Sequence, residues 1–400
     1  MANPLKDKQV VLGVCGGIAA YKAVELLRTL VKSGSQIRVI MTGSAHEFVG
    51  PLTFEALSGH PVWTRMFGRQ EDAPLRHIAW ADKADAVVIA PATANIIGKM
   101  AHGIADDPLT TFVLSVRAPI LVCPSMNVRM YENRVVQDNI VRLEQAGIKV
   151  LHPETGSLAC GHEGPGRLPN VETIAEELRS LLCTYDLAGE RILITAGPTQ
   201  EPIDPVRFIS NPSSGKMGHA IARVASRRGA EVVLISGPTA LPDPQGVKVI
   251  RVSTAQEMFN AVMDQVEQTT IIVKAAAVSD WRPTGLFEHK VKKDQMAQPL
   301  PLEQTPDILK ALGENKTGQI LVGFAAETQN LRENACAKLT AKNLDLIVAN
   351  LIGRADSGFG SDTNQVTLFY RDGRAEDLPI MDKEDLADII LDRVFEIKKK

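Results

Sequence analysis

The amino-acid sequence predicts an α/β protein of two doubly wound, Rossmann-like domains, each built on a mainly parallel sheet. Short, wholly apolar runs alternate with amphipathic helical patterns almost throughout, as buried parallel strands and their crossover helices do. The pattern pauses at a short link, residues 184–190, and restarts at Arg191. Each half opens with the same succession of strand, glycine-rich loop and helix; beyond that no internal repeat is visible. A chain of 400 residues accommodates two domains, expected here as 1–189 and 190–400.

In the first half, strands are expected over 10–14, 37–41, 86–90 and 120–123. Helix 20–33 carries Val24, Leu27 and Val31 on one face and stops at Gly34. Residues 153–169 hold glycines at 156, 161, 164 and 166 and read as a loop or flap, after which helix 171–183 closes the unit. In the second half, strands are expected over 192–195, 232–236, 271–274, 320–324 and 346–349. A helix is expected over 218–228, and Thr254 with Glu257 forms a capping box that opens another, running to Glu267.

Composition removes several function classes. Hydrophobic residues make up 44% and charged residues 23%, the balance of a soluble globular chain. A net charge of -3 without a basic stripe argues against a nucleic-acid partner. No apolar stretch reaches membrane-spanning length. The apolar run 10–20 behind Lys6 and Lys8 superficially resembles a signal peptide, but Gly13, Gly16 and Gly17 interrupt it and a helix follows directly. The cysteines Cys15, Cys123, Cys160, Cys183 and Cys336 are scattered, odd in number and free of any CxxC pair. That points to a reducing compartment, and away from disulfides or zinc, so the cytosol is the expected location.

The loop Cys15-Gly16-Gly17-Ile18-Ala19 lies between the first strand and helix, where backbone N–H groups and a helix N-terminus can receive a phosphate. Tight packing alone would also explain it. It is not a GxGxxG fingerprint, and no acidic residue ends the second strand; Thr42 and Ser44 offer hydroxyls there, which suit a mononucleotide better than an NAD ribose. The next two strands end in Pro91-Ala92-Thr93-Ala94-Asn95 and Pro124-Ser125-Met126-Asn127-Val128-Arg129-Met130, small-residue loops that each carry an Asn. Ligands of open parallel sheets sit at these carboxyl ends.

These segments, with Leu158-Ala159-Cys160-Gly161 and Gly164-Pro165-Gly166-Arg167, resemble the flavin-dependent cysteine decarboxylases over most of residues 9–170. The resemblance implies FMN and conversion of 4′-phosphopantothenoylcysteine to 4′-phosphopantetheine. It implies FMN contacts at Gly16, Gly17, Ile18, Thr42, Pro91, Ala92, Thr93 and Asn95. His77 would be the base or positioning group, Asn127 would hold the substrate carboxylate, and Cys160 would protonate the enethiolate from the flap. Cys15 stands where the family more often has Ser.

In the second half, Ile194-Thr195-Ala196-Gly197-Pro198-Thr199 ends a strand, and Ser210-Asn211-Pro212-Ser213-Ser214-Gly215-Lys216 opens a helix. The loop resembles a phosphate cradle without Walker A spacing, and a plain capping loop fits it as well. With residues 275–281, 290–293, 306–309 and 322–328, and with Lys338 and Lys342, it is similar to phosphopantothenate–cysteine ligase along nearly all of 190–395. The resemblance implies activation of a carboxylate by CTP with Mg²⁺, through an acyl-cytidylate that the cysteine amine displaces. It implies Lys290 at the α-phosphate, Lys338, Lys342 and Asp280 on the nucleotide, and Pro306, Asp307, Ile308, Leu309 and Phe324 around the base. Asn211 and Arg207 would handle the acyl-cytidylate, while the metal ligands stay unassigned. Decarboxylase trimers and ligase dimers in a larger homo-oligomer are also implied. Two rival readings are a flavin-binding regulatory protein without catalysis and an NAD-dependent oxidoreductase. Retention of Cys160 and Asn127 counts against the first, and the missing dinucleotide fingerprint against the second.

Overall fold

The structure, a computed structural model, describes residues 3–67, 75–157, 163–292, 299–327, 329–351 and 360–399. The chain forms two compact units, Asn3–Cys183 and Thr184–Lys400.

In the first unit, β1 (Gln9–Val14), β2 (Gln36–Met41), β3 (Ala86–Ala92), β4 (Ile120–Pro124) and β5 (Lys149–Val150) form a wholly parallel sheet in the order β2-β1-β3-β4-β5. The helices are α1 (Ala20–Lys32), α2 (Pro51–Ser58), α3 (Arg76–Ala81), α4 (Ala94–His102), α5 (Pro108–Ser115), α6 (Val128–Tyr131), α7 (Arg134–Gln145) and α8 (Val171–Leu182). Successive strand residues face opposite layers. Leu12, Val88 and Leu121 pack with α1, α2 and α8, whereas Val11, Ile89 and Val122 pack with α3, α4, α5 and α7. Burial on both faces is why these strands read as continuous apolar runs, each buried Leu or Ile contributing about 1.5–3 kcal/mol. The stretch expected as a loop over 153–169 instead contains a hairpin of β6 (Glu154–Ser157) and β7 (Glu163–Arg167), which glycine-rich composition does not announce.

The second unit repeats the plan on a larger scale. Its strands are β8 (Arg191–Ala196), β9 (Gln200–Pro202), β10 (Phe208–Ser210), β11 (Glu231–Ser236), β12 (Lys248–Arg251), β13 (Ile271–Lys274), β14 (Trp281–Pro283), β15 (Leu302–Gln304), β16 (Ile320–Glu327), β17 (Leu346–Leu351), β18 (Thr363–Asn364), β19 (Val366–Tyr370), β20 (Ala375–Asp377) and β21 (Met381–Asp382). An 8-stranded sheet runs β12-β11-β8-β13-β16-β17-β19-β20, in which β19 alone runs against the other strands and so pairs antiparallel with both β17 and β20. The remaining strands form three antiparallel pairs, β9–β10, β14–β15 and β18–β21. Helices α9 (Lys216–Arg227) and α13 (Lys383–Lys398) cover one face, and α10 (Ala255–Met263), α11 (Ile308–Glu314) and α12 (Leu331–Ala341) the other. The capping box read from the sequence is present, Thr254 accepting from Glu257 N while Glu257 accepts from Thr254 N. The helix it opens ends at Met263, short of the expected Glu267, and a 3₁₀ turn over Val266–Gln268 follows.

Residues of the link belong to this second unit. Leu187 is fully buried in its core, and Asp186 takes two hydrogen bonds from Arg228, which also pairs with Asp388 and Asp392 on α13. Burial works against ionisation of Asp186, but the Arg228 guanidinium outweighs it and holds the carboxyl below its ordinary value.

Candidate active sites

In the first unit the strand order reverses between β1, which leads outward to β2, and β3, which leads toward β4 and β5. Open α/β sheets leave a crevice at such a switch point. A cleft of about 530 Å³ lies there, walled by the β1–α1 loop, the loops after β3 and β4, and the end of β7. A Cβ at Gly16 would stand 2.4 Å from Ser44 Cβ and 2.7 Å from the Ser44 carbonyl oxygen. Glycine is therefore required for the loops after β1 and β2 to meet. Thr93 caps α4, accepting from Ile96 N at 3.4 Å. Asn127 caps α6, accepting from Arg129 N at 2.9 Å, and Gly166 O receives Met126 N at 3.1 Å, which joins the hairpin to the β4 loop. Ile18, Tyr21 and Met130 remain 63%, 54% and 48% exposed, an apolar surface that a flat ring system would cover.

Gly16, Gly17, Ile18, Thr93 and Asn127 come together in this cleft, as their motifs imply. Pro91 and Ala92 are buried in the strand that delivers Thr93. Thr42 and Asn95 lie near those loops but outside the lining of the cleft. His77 sits on α3, its carbonyl accepting from Ser115 Oγ at 3.5 Å, and is likewise absent from the lining. Cys160 lies outside the described residues. Cys15 points into the apolar core, where burial pushes its thiol up to about 12 despite a hydrogen bond from Thr93 N–H. It packs as a small hydrophobe. Tyr21, Lys22 and Arg167 also line the cleft; the signal for the first pair is their place one turn inside the helix that follows the glycine loop.

In the second unit the order reverses between β8 and β13. Two cavities open at the C-terminal edge there. One, about 330 Å³, runs along Asp280-Trp281, Gln304–Leu309 and Lys342. The other, about 390 Å³, runs along Asn211–Gly218, Ala275–Val278, Phe324–Ala326, Asn350, Asn364 and Lys383. Lys274, Val278, Asp280 and Lys338 belong to both. Asp307 caps α11, accepting from Lys310 N at 2.9 Å, and pairs with Lys342. Burial raises its carboxyl, but Lys342 and the Lys310 N–H hold it below the usual range. Lys338 Nζ donates to Phe324 O at 2.9 Å. Asn211 Nδ2 donates to Val278 O at 3.0 Å, which ties the β10–α9 loop to the β13 loop.

Asp280, Pro306, Asp307, Ile308, Leu309, Lys338 and Lys342 thus gather around the first cavity. Phe324 and Asn211 line the second, so Phe324 stands apart from the expected base pocket. Arg207 is bound to Asp204 through Nε at 2.9 Å and Nη2 at 2.6 Å, and it lines neither cavity. Lys290 is exposed and also outside both; the adjoining Val291 is held by Asp204 and Arg207. Lys274, Lys383 and Asn350 were not singled out by motif reading, although a lysine closing the run Ile271-Ile272-Val273 is a visible signal. Among the described residues no group of three or more His, Cys, Asp or Glu forms a ready metal site, and no helix is long and apolar enough to cross a membrane.

Residues 2–182 match the family described as Flavoprotein, and residues 187–397 match the DNA/pantothenate metabolism flavoprotein C-terminal domain. The chain is 49% identical to the Coenzyme A biosynthesis bifunctional protein CoaBC of Bacillus subtilis, across 99% of this chain and 98% of that one. It is 44% identical to the protein of the same name from Escherichia coli K12, across 98% and 97%. A crystal structure of the C-terminal domain of a protein of that name is 46% identical, covering 54% of this chain and 98% of its own, with a TM-score of 0.46.

Proposed function

The chain belongs to the family of coenzyme A biosynthesis bifunctional proteins, and from that premise we propose how its residues divide the two reactions. The chain is an enzyme with a flavoprotein phosphopantothenoylcysteine decarboxylase half followed by a phosphopantothenate–cysteine ligase half. The finer assignments below are our reading.

FMN would occupy the first cleft, its phosphate toward Gly16, Gly17 and the α1 N-terminus and its ring against Ile18, Tyr21 and Met130. The residues fit such a group: a glycine at a position too close-packed for a Cβ, an α1 N-terminus with no side-chain cap and an uncovered apolar wall. A bound flavin supplies reversible two-electron oxidation at the thiol-bearing carbon, which makes the neighbouring carboxylate able to leave as CO₂. Asn127 orients that carboxylate, and Cys160 returns a proton to the enethiolate. His77, which does not line the cleft of this chain, would act as the base or positioning group near the thiol.

In the second unit, CTP would take the cavity along residues 304–309 and phosphopantothenate the cavity along 211–218. A carboxylate oxygen attacks the α-phosphorus, the bond to the pyrophosphate oxygen breaks, and pyrophosphate leaves with the electron pair. The cysteine amine then attacks the acyl carbon, the acyl–oxygen bond breaks, and CMP departs while the amine proton is lost. Lysines offset the charge that builds when anion meets anion. Mg²⁺ would arrive on the triphosphate, which supplies most of its ligands, with Asp280 the exposed carboxylate on the wall. The single observation that carries this reading is the shared wall: two cavities that meet at Lys274 and Lys338 let a nucleotide and an acyl group react at one point. A cytosolic homo-oligomer of decarboxylase trimers and ligase dimers completes the proposal.

Two measurements test it. The purified chain should be yellow, with a flavin band near about 450 nm that identifies as FMN after release. Ligation assayed with CTP, ATP, GTP and UTP separately should proceed with CTP; turnover with ATP alone overturns the nucleotide assignment, and a colourless chain that cannot take up FMN overturns the cofactor assignment.

A further inference from the structure

Lys274 is the last residue of β13, at the point where the strand order of the second sheet reverses. The three residues before it, Ile271, Ile272 and Val273, are buried core. The strand therefore carries a cation from an apolar interior to the sheet's C-terminal edge, at a cost in lost hydration. Its Nζ donates to Ala276 O at 2.9 Å, and across the junction Lys338 Nζ donates to Phe324 O at 2.9 Å. Both ammonium groups rest on backbone carbonyls rather than on carboxylates. Of the two acids on the wall, Asp307 is already engaged by Lys342 and Asp280 stands exposed. Two cations thus share the open Asp280 carboxylate on the wall, with Glu327 beyond it acting on Lys338. Burial first, then Lys338, depresses the Lys274 ammonium to about 8, and burial lowers Lys338 as well. Like charges in a partly dry cavity are destabilising until an anion sits between them.

We propose that Lys274 is a phosphate-binding residue of the ligase site: with Lys338 it holds the phosphoryl group that first joins nucleotide to pyrophosphate and then joins nucleotide to acyl group, at the junction of the two cavities. The inference rests on the nucleotide-dependent ligation set out above and adds to it a residue outside the motifs that identify the ligase. An ammonium at the junction touches this one phosphoryl in both cavities' ligands, whereas Lys342 and Lys383 each reach only one cavity.

Calorimetric titration of the full chain with CTP, and separately with inorganic pyrophosphate, tests the assignment. Lys274→Met should weaken both by about 10- to 100-fold, the loss of a charge-assisted hydrogen bond. Lys274→Arg should restore most of the affinity, a rescue that a merely structural role would not give. A second measurement needs no variant: acetylation of Lys274 by acetic anhydride in the wild-type chain, read by mass spectrometry, should slow when pyrophosphate is present. Unchanged affinity in Lys274→Met, or acetylation that pyrophosphate leaves untouched, overturns the inference. Failure of the underlying reading looks different. A chain that ligates with CTP while Lys274 is unprotected keeps the reading and loses this residue. One that protects Lys274 yet ligates with no nucleoside triphosphate keeps the anion site and loses the reading.

Discussion

At the scale of single residues, chemistry depends on how each side chain is surrounded. Two cysteines of the first unit, Cys15 and Cys123, are sealed in apolar cores, and burial drives both thiols upward. Neither suits proton transfer near neutrality, in keeping with the proposed assignment of that role to Cys160. Cys160→Ser keeps the shape but offers a far weaker acid. It should bind FMN, oxidise substrate and release CO₂, then stop at the enethiol. Pantetheine formation should fall by about 10² to 10⁴, and the flavin absorbance lost on substrate addition should not return. Normal product at the normal rate would remove Cys160 from the mechanism; no bleaching at all would move its role to an earlier step. The resemblance singled out this candidate, and its place in a glycine-rich segment, where a cysteine has no packing reason, supports it. Lys274 was visible as a lysine closing an apolar run, but a lysine at a strand end is usually a solvated terminus, and the sheet's strand order was needed to place it in a cavity. His77 illustrates the converse, a motif residue that is not among those lining the cleft.

Elements are set by periodicity where both faces are buried and by contact where they are not. The core strands of both sheets were legible because burial on two faces writes an unbroken apolar run. The hairpin of β6 and β7 was not, since Glu, Gly, Pro and Arg are poor strand formers and the pair is held by its ladder and by contact with the β4 loop. Helix α9 shows why a glycine sits inside a helix. A Cβ at Gly218 would lie 2.5 Å from Ala196 Cβ and 2.9 Å from Thr195 O, so α9 lies almost directly on β8. Gly218→Ala gains helix propensity yet must push the helix off the sheet. It should destabilise the second unit by about 1–3 kcal/mol and displace the 211–218 loop, raising the KM for phosphopantothenate while decarboxylation stays unchanged. An equally or more stable Gly218→Ala protein with unaltered ligation would show that the helix seat tolerates the methyl group.

For the whole molecule, the division into two units predicts which fragments stand alone. Sequence pattern puts the division at 189/190, while the compact units part between Cys183 and Thr184. The difference arises because Tyr185–Glu190 lack a helical or strand period, so their allegiance is visible only as packing. A fragment of residues 184–400 keeps Leu187 in its core and Asp186 on Arg228. A fragment of residues 190–400 loses both, and leaves a buried guanidinium with fewer partners. The longer fragment should be more stable by about 3–5 kcal/mol, measured by urea titration, and should ligate. Equal midpoints for the two would show that the link is a passive tether. In each unit the cavities lie at the carboxyl ends of parallel strands, with antiparallel hairpins and pairs completing their walls. At the opposite ends lie ion pairs such as Lys8–Asp85 and Arg191–Glu231. Each half is therefore expected to have an edge where change alters chemistry and an edge where change alters stability. Lineages that adapt this enzyme to heat or cold have the second edge free for the purpose, and should accumulate their substitutions there without retuning either reaction.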